Sequence, residues 1–359
     1  MEDRTFESPA PEVCASKIFE VSGAKFDEDV VLDLWQKIMR HQWIMSEKLN
    51  RDVGFKIACN DFLDNIGTGD EIATHNHEKL LLQLGARTIA PDIWDTISDT
   101  QPPKKLIQRK VILPLVEEEL SQKHGVIPPK TIIFFGPPGT GKTYFAKAIA
   151  GRLAWKYLEI VPSMLMIAGI DKIGAHLRDV MEKARNLEEV VIFIDEFEEL
   201  ATERDDASRI DRSITNEFLK QVPLIKSNTN KVLLVCATNY IRQLDTALLR
   251  PGRFDCVIPV GALDESGRET ILKYYLAKMN PGVIDLKQII ALTEKYTPAD
   301  IEYLFQIVAQ HAFEEECDTR SNFLVTTDFI VQTIATFKPS LTESMIKEFK
   351  EDIVKYSRS

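Results

Sequence analysis

One segment sets the architecture of this chain: Phe135-Gly136-Pro137-Pro138-Gly139-Thr140-Gly141-Lys142-Thr143. It fits the phosphate-binding pattern G-x-x-x-x-G-K-[ST], which requires a strand before the loop and a helix after it. Before the loop, Thr131–Phe135 is rich in β-branched and aromatic residues, and after it Tyr144–Ala150 has apolar residues three and four positions apart. The context therefore predicts a strand, a phosphate-binding loop and a helix, rather than a plain glycine-rich turn.

The residue types in this loop suit the binding of phosphate. The glycines allow a tight turn in which backbone N–H groups point at phosphate oxygens, and the N-terminus of the following helix adds positive potential. We expect Lys142 to reach the β- and γ-phosphates and the Thr143 hydroxyl to bind Mg²⁺. The segment therefore predicts a site for ATP and Mg²⁺.

A carboxylate pair follows another predicted strand. Val190–Ile194 is uniformly apolar, as expected for a parallel strand covered on both faces, and it ends in Asp195 and Glu196. We expect Asp195 to hold the Mg²⁺ shell and Glu196 to polarise the water that attacks the γ-phosphate. The alternative is an ordinary acidic first turn of a helix. Glu198 and Glu199 are predicted to be helix charges that face solvent.

Further apolar runs complete the predicted sheet. Val232–Cys236 leads to Asn239, whose amide could orient the attacking water, although an asparagine after a strand is commonly a turn residue. Tyr157–Val161 predicts one more strand and Leu177–Ala184 a helix. The pattern predicts an α/β fold: a P-loop NTPase parallel sheet sandwiched by helices.

The first part of the chain has a helical pattern. Apolar residues recur at helical spacing from Val30 to Ile66, which predicts a helical N-terminal module over residues 1–90. Its apolar face is either a core between helices or a docking surface for another protein. His75 and His77 lack companion ligands, so we interpret Asn76 between them as a helix cap and not as part of a metal site.

The remaining residues fall into two predicted domains. Residues 91–260 are expected to form the sheet domain, which begins with a linker at Ile93–Ile97 and a helix with one apolar face over Leu106–Leu120. Residues 261–359 have helical periodicity without strands, which predicts a small all-α lid.

Composition and charge exclude several classes of protein. A net charge of -11 opposes attraction to phosphate backbones, so nucleic acid is disfavoured as a partner. No apolar run approaches the roughly 18 residues needed to cross a bilayer, and Met1–Arg4 does not begin a signal peptide, so we expect a cytoplasmic protein without a membrane span. The five cysteines are scattered, which indicates neither a zinc site nor a disulfide framework.

A longer motif set carries a family resemblance. Asn239 is followed by Leu244–Asp255, with the sequence LDTALLRPGRFD. Together with Gly136–Thr143, Phe193–Glu196 and Ala237–Asn239, this segment resembles the AAA ATPase family, including its second region of homology. The similarity extends from about residue 94 to the end, about three quarters of the chain.

The resemblance implies catalytic roles that single residues do not reveal. Asn239 is similar to the sensor 1 residue, and Arg250 and Arg253 match the two arginines that reach the ATP of a neighbouring subunit. Taken alone, each arginine could equally be a surface charge or the partner of a carboxylate. With Glu196 and Lys142, these three residues form the predicted catalytic set.

The resemblance also concerns the base and the C-terminus. Thr297-Pro298-Ala299-Asp300 falls where the family usually has Ser-Gly-Ala-Asp near the adenine, so Ala299, together with Tyr144 after the loop, is counted as nucleotide-binding. Tyr275 replaces a nucleotide-contacting histidine of many members and is interpreted as a packing residue. A helix after Lys338 resembles the C-terminal helix of the katanin, spastin and valosin-containing-protein branches, where it helps to hold the ring together. Here a lid helix without contact across subunits is equally compatible.

The function implied by the resemblance is mechanical. We expect a homo-oligomeric ring, of six subunits by family likeness, that couples ATP hydrolysis to remodelling, unfolding or disassembly of a protein substrate. The N-terminal helices would bind the substrate or an adaptor, or regulate the ring. The alternatives are an ATP-gated scaffold that does not pull on a substrate and, less favoured, a motor that moves nucleic acid.

The first central loop departs from the family pattern. Protein-threading members usually have an aromatic residue, an apolar residue and glycine there, whereas this chain has Met166-Ile167-Ala168-Gly169. Apolar Met166 and Ile167 can still grip an extended peptide through nonspecific contacts, so the sequence leaves processive threading open.

Overall fold

The computed structural model describes residues 9–22, 28–49, 51–65, 81, 84–166, 173–202, 209–279 and 281–358. The chain divides into two units, Met1–Gly85 and Ala86–Ser359. None of the helices in this described part is both long and apolar enough to cross a membrane.

The first unit contains three described helices, Pro11–Ser22, Glu28–Leu49 and Phe55–Asn65. One apolar face of each helix enters a shared core, in which Trp35 contacts Phe55 with ring centroids 4.8 Å apart. The fully or nearly fully buried members of this core are Cys14, Ile18, Val31, Leu34, Trp35, Ile38, Cys59, Phe62 and Leu63. Helices at the N-terminus are therefore confirmed, whereas the predicted cap at Asn76 and its flanking histidines lie outside the described residues.

The second unit is built on a single described sheet. Its strands are β1 (Arg87–Thr88), β2 (Thr131–Phe135), β3 (Lys156–Ile160), β4 (Val190–Ile194), β5 (Val232–Thr238) and β6 (Cys256–Pro259). Their order is β1-β3-β4-β5-β2-β6, with β1 antiparallel to β3 and all other pairs parallel. Every residue of β2, β4 and β5 is buried, which explains why these strands are uniformly apolar. The predicted α/β fold is confirmed.

Helices surround the sheet and continue into the C-terminal part. Those described in the second unit are Pro102–Ile107, Leu113–Val116, Glu118–Lys123, Lys142–Leu153, Pro162–Met166, Ile173–Arg185, Phe197–Leu200, Arg209–Ser227, Glu265–Leu276, Leu286–Leu292, Pro298–Thr319, Thr327–Ile334 and Glu343–Tyr356. The four from Glu265 to Ile334 have a core of their own, around Leu272, Ile289, Leu304 and Phe305. We call them the lid and Glu343–Tyr356 the C-terminal helix. The domain limits at residues 90 and 260 stay predictions.

Two sequence predictions near the start of this unit are wrong. The expected linker at Ile93–Ile97 belongs to the domain core, because Pro91–Trp94 forms a 3-10 turn and the Trp94 indole is only 5% exposed. The single helix expected over Leu106–Leu120 is interrupted by a π-helical segment, Gln108–Ile112. Pro114 lacks the N–H that would continue a regular helix, and beyond it Val116 and Leu120, two members of the predicted apolar face, are exposed.

Candidate functional site

The loop after β2 has a backbone that only glycine fits. Gly136 has a φ of 149° and Gly139 a φ of 75°, both outside the range that residues with side chains favour. A Cβ on Gly136 would lie 2.1 Å from the carbonyl oxygen of Val260, and one on Gly139 would lie 3.0 Å from the Thr297 hydroxyl. These glycines are therefore required by close packing as well as by the turn itself.

Lys142 begins the helix after this loop and is 6% exposed. Its ammonium group donates hydrogen bonds of 2.8 Å to the carbonyl oxygens of Gly136 and Pro137. Burial lowers the pKa of Lys142 to about 8, although the negative charges of Asp195 and Glu198 oppose the change. The loop thus holds a desolvated cation at its centre, as an anion-binding site requires.

Thr143 and Asp195 come together although 52 residues separate them in sequence. The Thr143 hydroxyl donates a hydrogen bond of 2.8 Å to Oδ2 of Asp195. A hydroxyl and a carboxylate are oxygen ligands that suit Mg²⁺, which usually takes its other ligands from water and substrate phosphates. No group of three or more His, Cys, Asp and Glu side chains that could hold a metal occurs among the described residues.

Glu196 follows Asp195 just beyond the end of β4, and it is exposed. Its φ is 49°, an uncommon conformation for a residue other than glycine, and its backbone N–H donates to Oδ1 of Asp195 at 2.9 Å. The neighbouring charge of Glu199, then partial burial and the charges of Asp195 and Glu198, raise the pKa of the Glu196 carboxyl. A carboxylate with a raised pKa is better suited to accept a proton from water.

Asn239 follows β5, which lies between β4 and β2 in the sheet. Its backbone N–H donates a hydrogen bond of 3.2 Å to Oε1 of Glu198. The prediction that Glu198 faces solvent is therefore wrong: only 9% of it is exposed, because its one-turn helix begins directly after β4, beside the end of β5. Glu199 is exposed, as predicted. The sequence gives no signal for this difference, since both glutamates lie in one short acidic run.

A cavity of about 800 Å³ connects these groups with the lid. Of the predicted site residues, it is lined by Pro138, Gly139, Thr140, Gly141, Lys142, Thr143, Tyr144, Asp195, Glu196, Asn239 and Ala299. Gly136 and Pro137 instead line a smaller cavity of about 140 Å³ on another side of the loop. Ala299 lies close to the loop, with its backbone N–H 3.5 Å from the carbonyl oxygen of Gly139.

The sequence interpretation missed several residues of the larger cavity. Thr96, in the segment expected to be a linker, lines it and shares a hydrogen bond of 2.5 Å with the Tyr144 hydroxyl. Tyr275 lines it too, and its ring stacks on Phe305 of the lid with centroids 5.3 Å apart. Tyr275 therefore packs, as predicted, and also faces the cavity.

Neither Arg250 nor Arg253 lines this cavity. Arg250 is exposed, and the guanidinium of Arg253 donates a hydrogen bond to the carbonyl oxygen of Leu219. Their action on a neighbouring subunit stays a prediction. Ile167 and the side chain of Met166, predicted to grip a substrate, lie outside the described residues.

Comparison with known proteins finds a family match for this part of the chain. Residues 132–262 match the profile described as "ATPase family associated with various cellular activities (AAA)". A cell division cycle protein 48 homolog from Archaeoglobus fulgidus is 30% identical over 273 residues, which are 72% of this chain and 37% of that protein. A proteasome-activating nucleotidase from Methanococcus maripaludis is 34% identical over 230 residues, 63% of this chain and 56% of that protein.

A solved structure shares the fold. The AAA domain of FIGL-1, in complex with ADP, superposes with a TM-score of 0.67 at 23% identity and covers 79% of this chain and 98% of that one. The chain spans between 37% and 56% of the length of the two curated relatives described above.

Proposed function

We propose that this chain, whose residues 132–262 match the AAA ATPase family that its motifs predicted, hydrolyses ATP with the help of Mg²⁺. The observation that carries the proposal is the 2.8 Å contact between the Thr143 hydroxyl and Asp195. It joins the start of the phosphate-loop helix to the end of β4, and Glu196 lies at the same edge of the same cavity.

Each side chain has a defined part in the proposed reaction. The loop N–H groups and Lys142 bind the phosphates, and Thr143 and Asp195 would hold Mg²⁺. Mg²⁺ bound there would offset charge that develops on the transferred phosphoryl group. Asn239 orients the attacking water, and Glu196 accepts its proton as the water oxygen bonds to the γ-phosphorus. The bond from that phosphorus to the β,γ-bridging oxygen breaks, its electron pair stays with ADP, and phosphate and ADP are the products.

The nucleoside end of ATP is proposed to occupy the part of the cavity toward the lid. Pro298 and Ala299, at the start of a lid helix, line the cavity beside Gly139, and Tyr275 lines it from another lid helix. Thr96 and Tyr144 line it from the sheet domain. Because both parts of the unit contribute walls, a change of nucleotide is expected to alter the angle between sheet domain and lid.

Ring assembly and the remodelling of a protein substrate are also part of the proposed function. We propose a homo-oligomeric ring, of six subunits by family likeness, in which Arg250 and Arg253 act on the ATP of the next subunit. Arg250 is exposed and does not line the cavity of its own chain, as this arrangement needs. Remodelling of a protein substrate, recruited by the N-terminal helices, is proposed from the same family likeness.

The test of the proposed ATPase is the substitution Glu196→Gln. The amide keeps the shape of the side chain but cannot accept the proton, so the variant should still bind ATP. Its kcat should be at least tenfold lower than that of the wild type, which corresponds to an activation free energy higher by about 1.4 kcal/mol or more. ATP affinity and steady-state turnover are measured side by side. Glu294→Gln, at an exposed position of the second unit, serves as the control and should behave as wild type. Turnover of Glu196→Gln close to wild type would remove Glu196 from the proposed role.

A second experiment addresses the substrate. The Glu196→Gln variant with ATP should hold its partner longer than wild type does, because the complex forms but the reaction that resets it is slow. Proteins that co-purify with the variant in ATP, and are absent in ADP, are candidate substrates. Substituting Met166 and Ile167 by serine then separates pulling from scaffolding: remodelling that survives with normal ATPase activity contradicts threading through this loop.

A further inference from the structure

Glu198 is a buried carboxylate to which the reaction described above gives no task. Oε1 accepts the hydrogen bond from the Asn239 N–H, whereas Oε2 is fully buried and has no hydrogen-bond partner among the described residues. Burial of a carboxylate is costly unless hydrogen bonds or nearby charges compensate. Solvation alone therefore would favour an outward-facing side chain, such as that of Glu199 on the same helical turn.

The surrounding structure fixes Glu198 in this orientation. The preceding ring, Phe197, is fully buried and makes edge contacts with Phe218 and Phe254 at centroid distances of 5.0 and 5.8 Å. On the other side, the Thr202 hydroxyl donates to the Glu198 carbonyl oxygen at 2.9 Å, and Thr202 forms a β-bridge with Leu244. The one-turn helix is thus anchored at both ends, with the carboxylate held against the end of β5.

The position of Glu198 differs from that of the reacting groups. Asp195, Glu196 and Asn239 line the large cavity, whereas Glu198 does not. Its charge acts at a distance on Lys142 and Glu196, and its other effects on the reaction pass through the groups that it touches. The directly bonded group is the backbone of Asn239, and Glu198 itself lies two residues after Glu196 on the same rigid turn.

We propose that Glu198 is a positioning residue for ATP hydrolysis, an inference that rests on the proposed function. Its Oε1 ties the backbone of Asn239 to the turn that carries Glu196, so the two groups that handle the attacking water keep a fixed separation. The phosphate loop binds ATP independently of this link. Loss of the link should therefore slow the chemical step and leave ATP affinity nearly unchanged.

A set of substitutions at Glu198 separates the effect of side-chain length from the effect of its negative charge. Gln keeps the length of the side chain and an oxygen that accepts the Asn239 N–H, but it has no charge, whereas Asp keeps the charge but is one methylene too short. We expect Glu198→Gln to stay within about threefold of wild-type kcat, and Glu198→Asp and Glu198→Ala to lose about tenfold or more. ATP affinity should change less than about threefold in all of them. Glu294→Gln, at an exposed position away from the cavity lining, should also stay within about threefold in both quantities.

Measurements are made at pH 7, below the pKa of about 8 of Lys142, because Glu198 also contributes to the field at that lysine. Thermal unfolding of each variant shows which of them are folded. If Glu198→Ala does not fold, the comparison of Gln with Asp decides. A Glu198→Gln variant with low kcat beside a Glu198→Asp variant with high kcat would show that the charge matters, and this would overturn the proposal. Wild-type kcat in Glu198→Asp or Glu198→Ala would also overturn it, as would an equal loss of kcat and ATP affinity. Absence of ATP turnover in the wild-type protein would instead overturn the proposed function.

Discussion

Lys142 is the residue at which the cost of burying a phosphate-binding charge is clearest. Its ammonium group is buried, and two carbonyl oxygens of the loop accept its hydrogen bonds. These bonds replace only part of the lost hydration, so burial still lowers its pKa to about 8. The charge that attracts an anion therefore reduces the stability of the protein without ligand.

This cost predicts a pH dependence of stability. The Lys142 pKa is about 8 in the folded protein against 10.5 when solvated, so between these values the unfolded chain holds a proton that the folded chain has released. Stability of the wild type relative to Lys142→Met should therefore rise from about pH 8 to pH 10.5, by at most about 3.4 kcal/mol. Urea unfolding of both proteins, without nucleotide or Mg²⁺, measures the difference. Parallel pH curves would show that Lys142 is not desolvated in this way.

Among the elements, the C-terminal helix is the one that joins the end of the chain to the phosphate loop. The Phe349 ring packs on Phe135 of β2 at a centroid distance of 5.8 Å and lies against Gly261. Nearby, Arg242, three residues after Asn239, donates from Nε to Asp352 at 2.6 Å and from Nη2 to Glu351 at 3.1 Å. The helix therefore contacts β2 and the segments that follow β5 and β6.

Crowding at Gly261 offers a test of this packing. A Cβ there would lie 2.4 Å from the Phe349 ring, so Gly261→Ala should push the ring away and cost about 1–3 kcal/mol of stability. In a Phe349→Ala background the extra methyl group has room, and its cost should fall to below about 0.5 kcal/mol. Unfolding of the four proteins of the cycle measures the coupling. Gly282→Ala is the matched control, since its Cβ would meet no atom closer than 3.5 Å. Equal costs of Gly261→Ala in both backgrounds would contradict the contact.

How far the fold can be predicted from the sequence depends on the length and burial of each strand. Strands β2, β4 and β5 are identified because burial on both faces leaves a continuous apolar run, and the motifs at their ends then locate the site. The two edge strands β1 and β6 have two and four residues, too few for a periodic signal, and were not predicted. The buried position of Glu198 was missed because it depends on which strand lies beside β4, and local sequence does not encode that order.

For the whole molecule, the decisive question is whether one subunit completes the site of the next. Arg250 is exposed and does not line the cavity of its own chain. That cavity is lined by Lys142, Glu196 and Asn239, the other predicted catalytic residues apart from Arg253. A guanidinium supplied by a neighbour can stabilise charge on the transferred phosphoryl group, and it makes hydrolysis depend on assembly.

Mixing two slow variants tests whether hydrolysis depends on Arg250 of the neighbouring subunit. Glu196→Gln lacks the base but keeps Arg250, whereas Arg250→Ala keeps the base and lacks the cation for its neighbour. If Arg250 acts in trans, an Arg250→Ala subunit beside a Glu196→Gln subunit regains a complete site. Random rings from equal amounts should then recover about a quarter of wild-type turnover, provided that the sites act independently. A mixture of Glu196→Gln with Lys142→Ala is the control, because both defects lie on the same side of the subunit contact and no site with an intact base regains its lysine. Turnover no higher than in this control would contradict action of Arg250 across the interface.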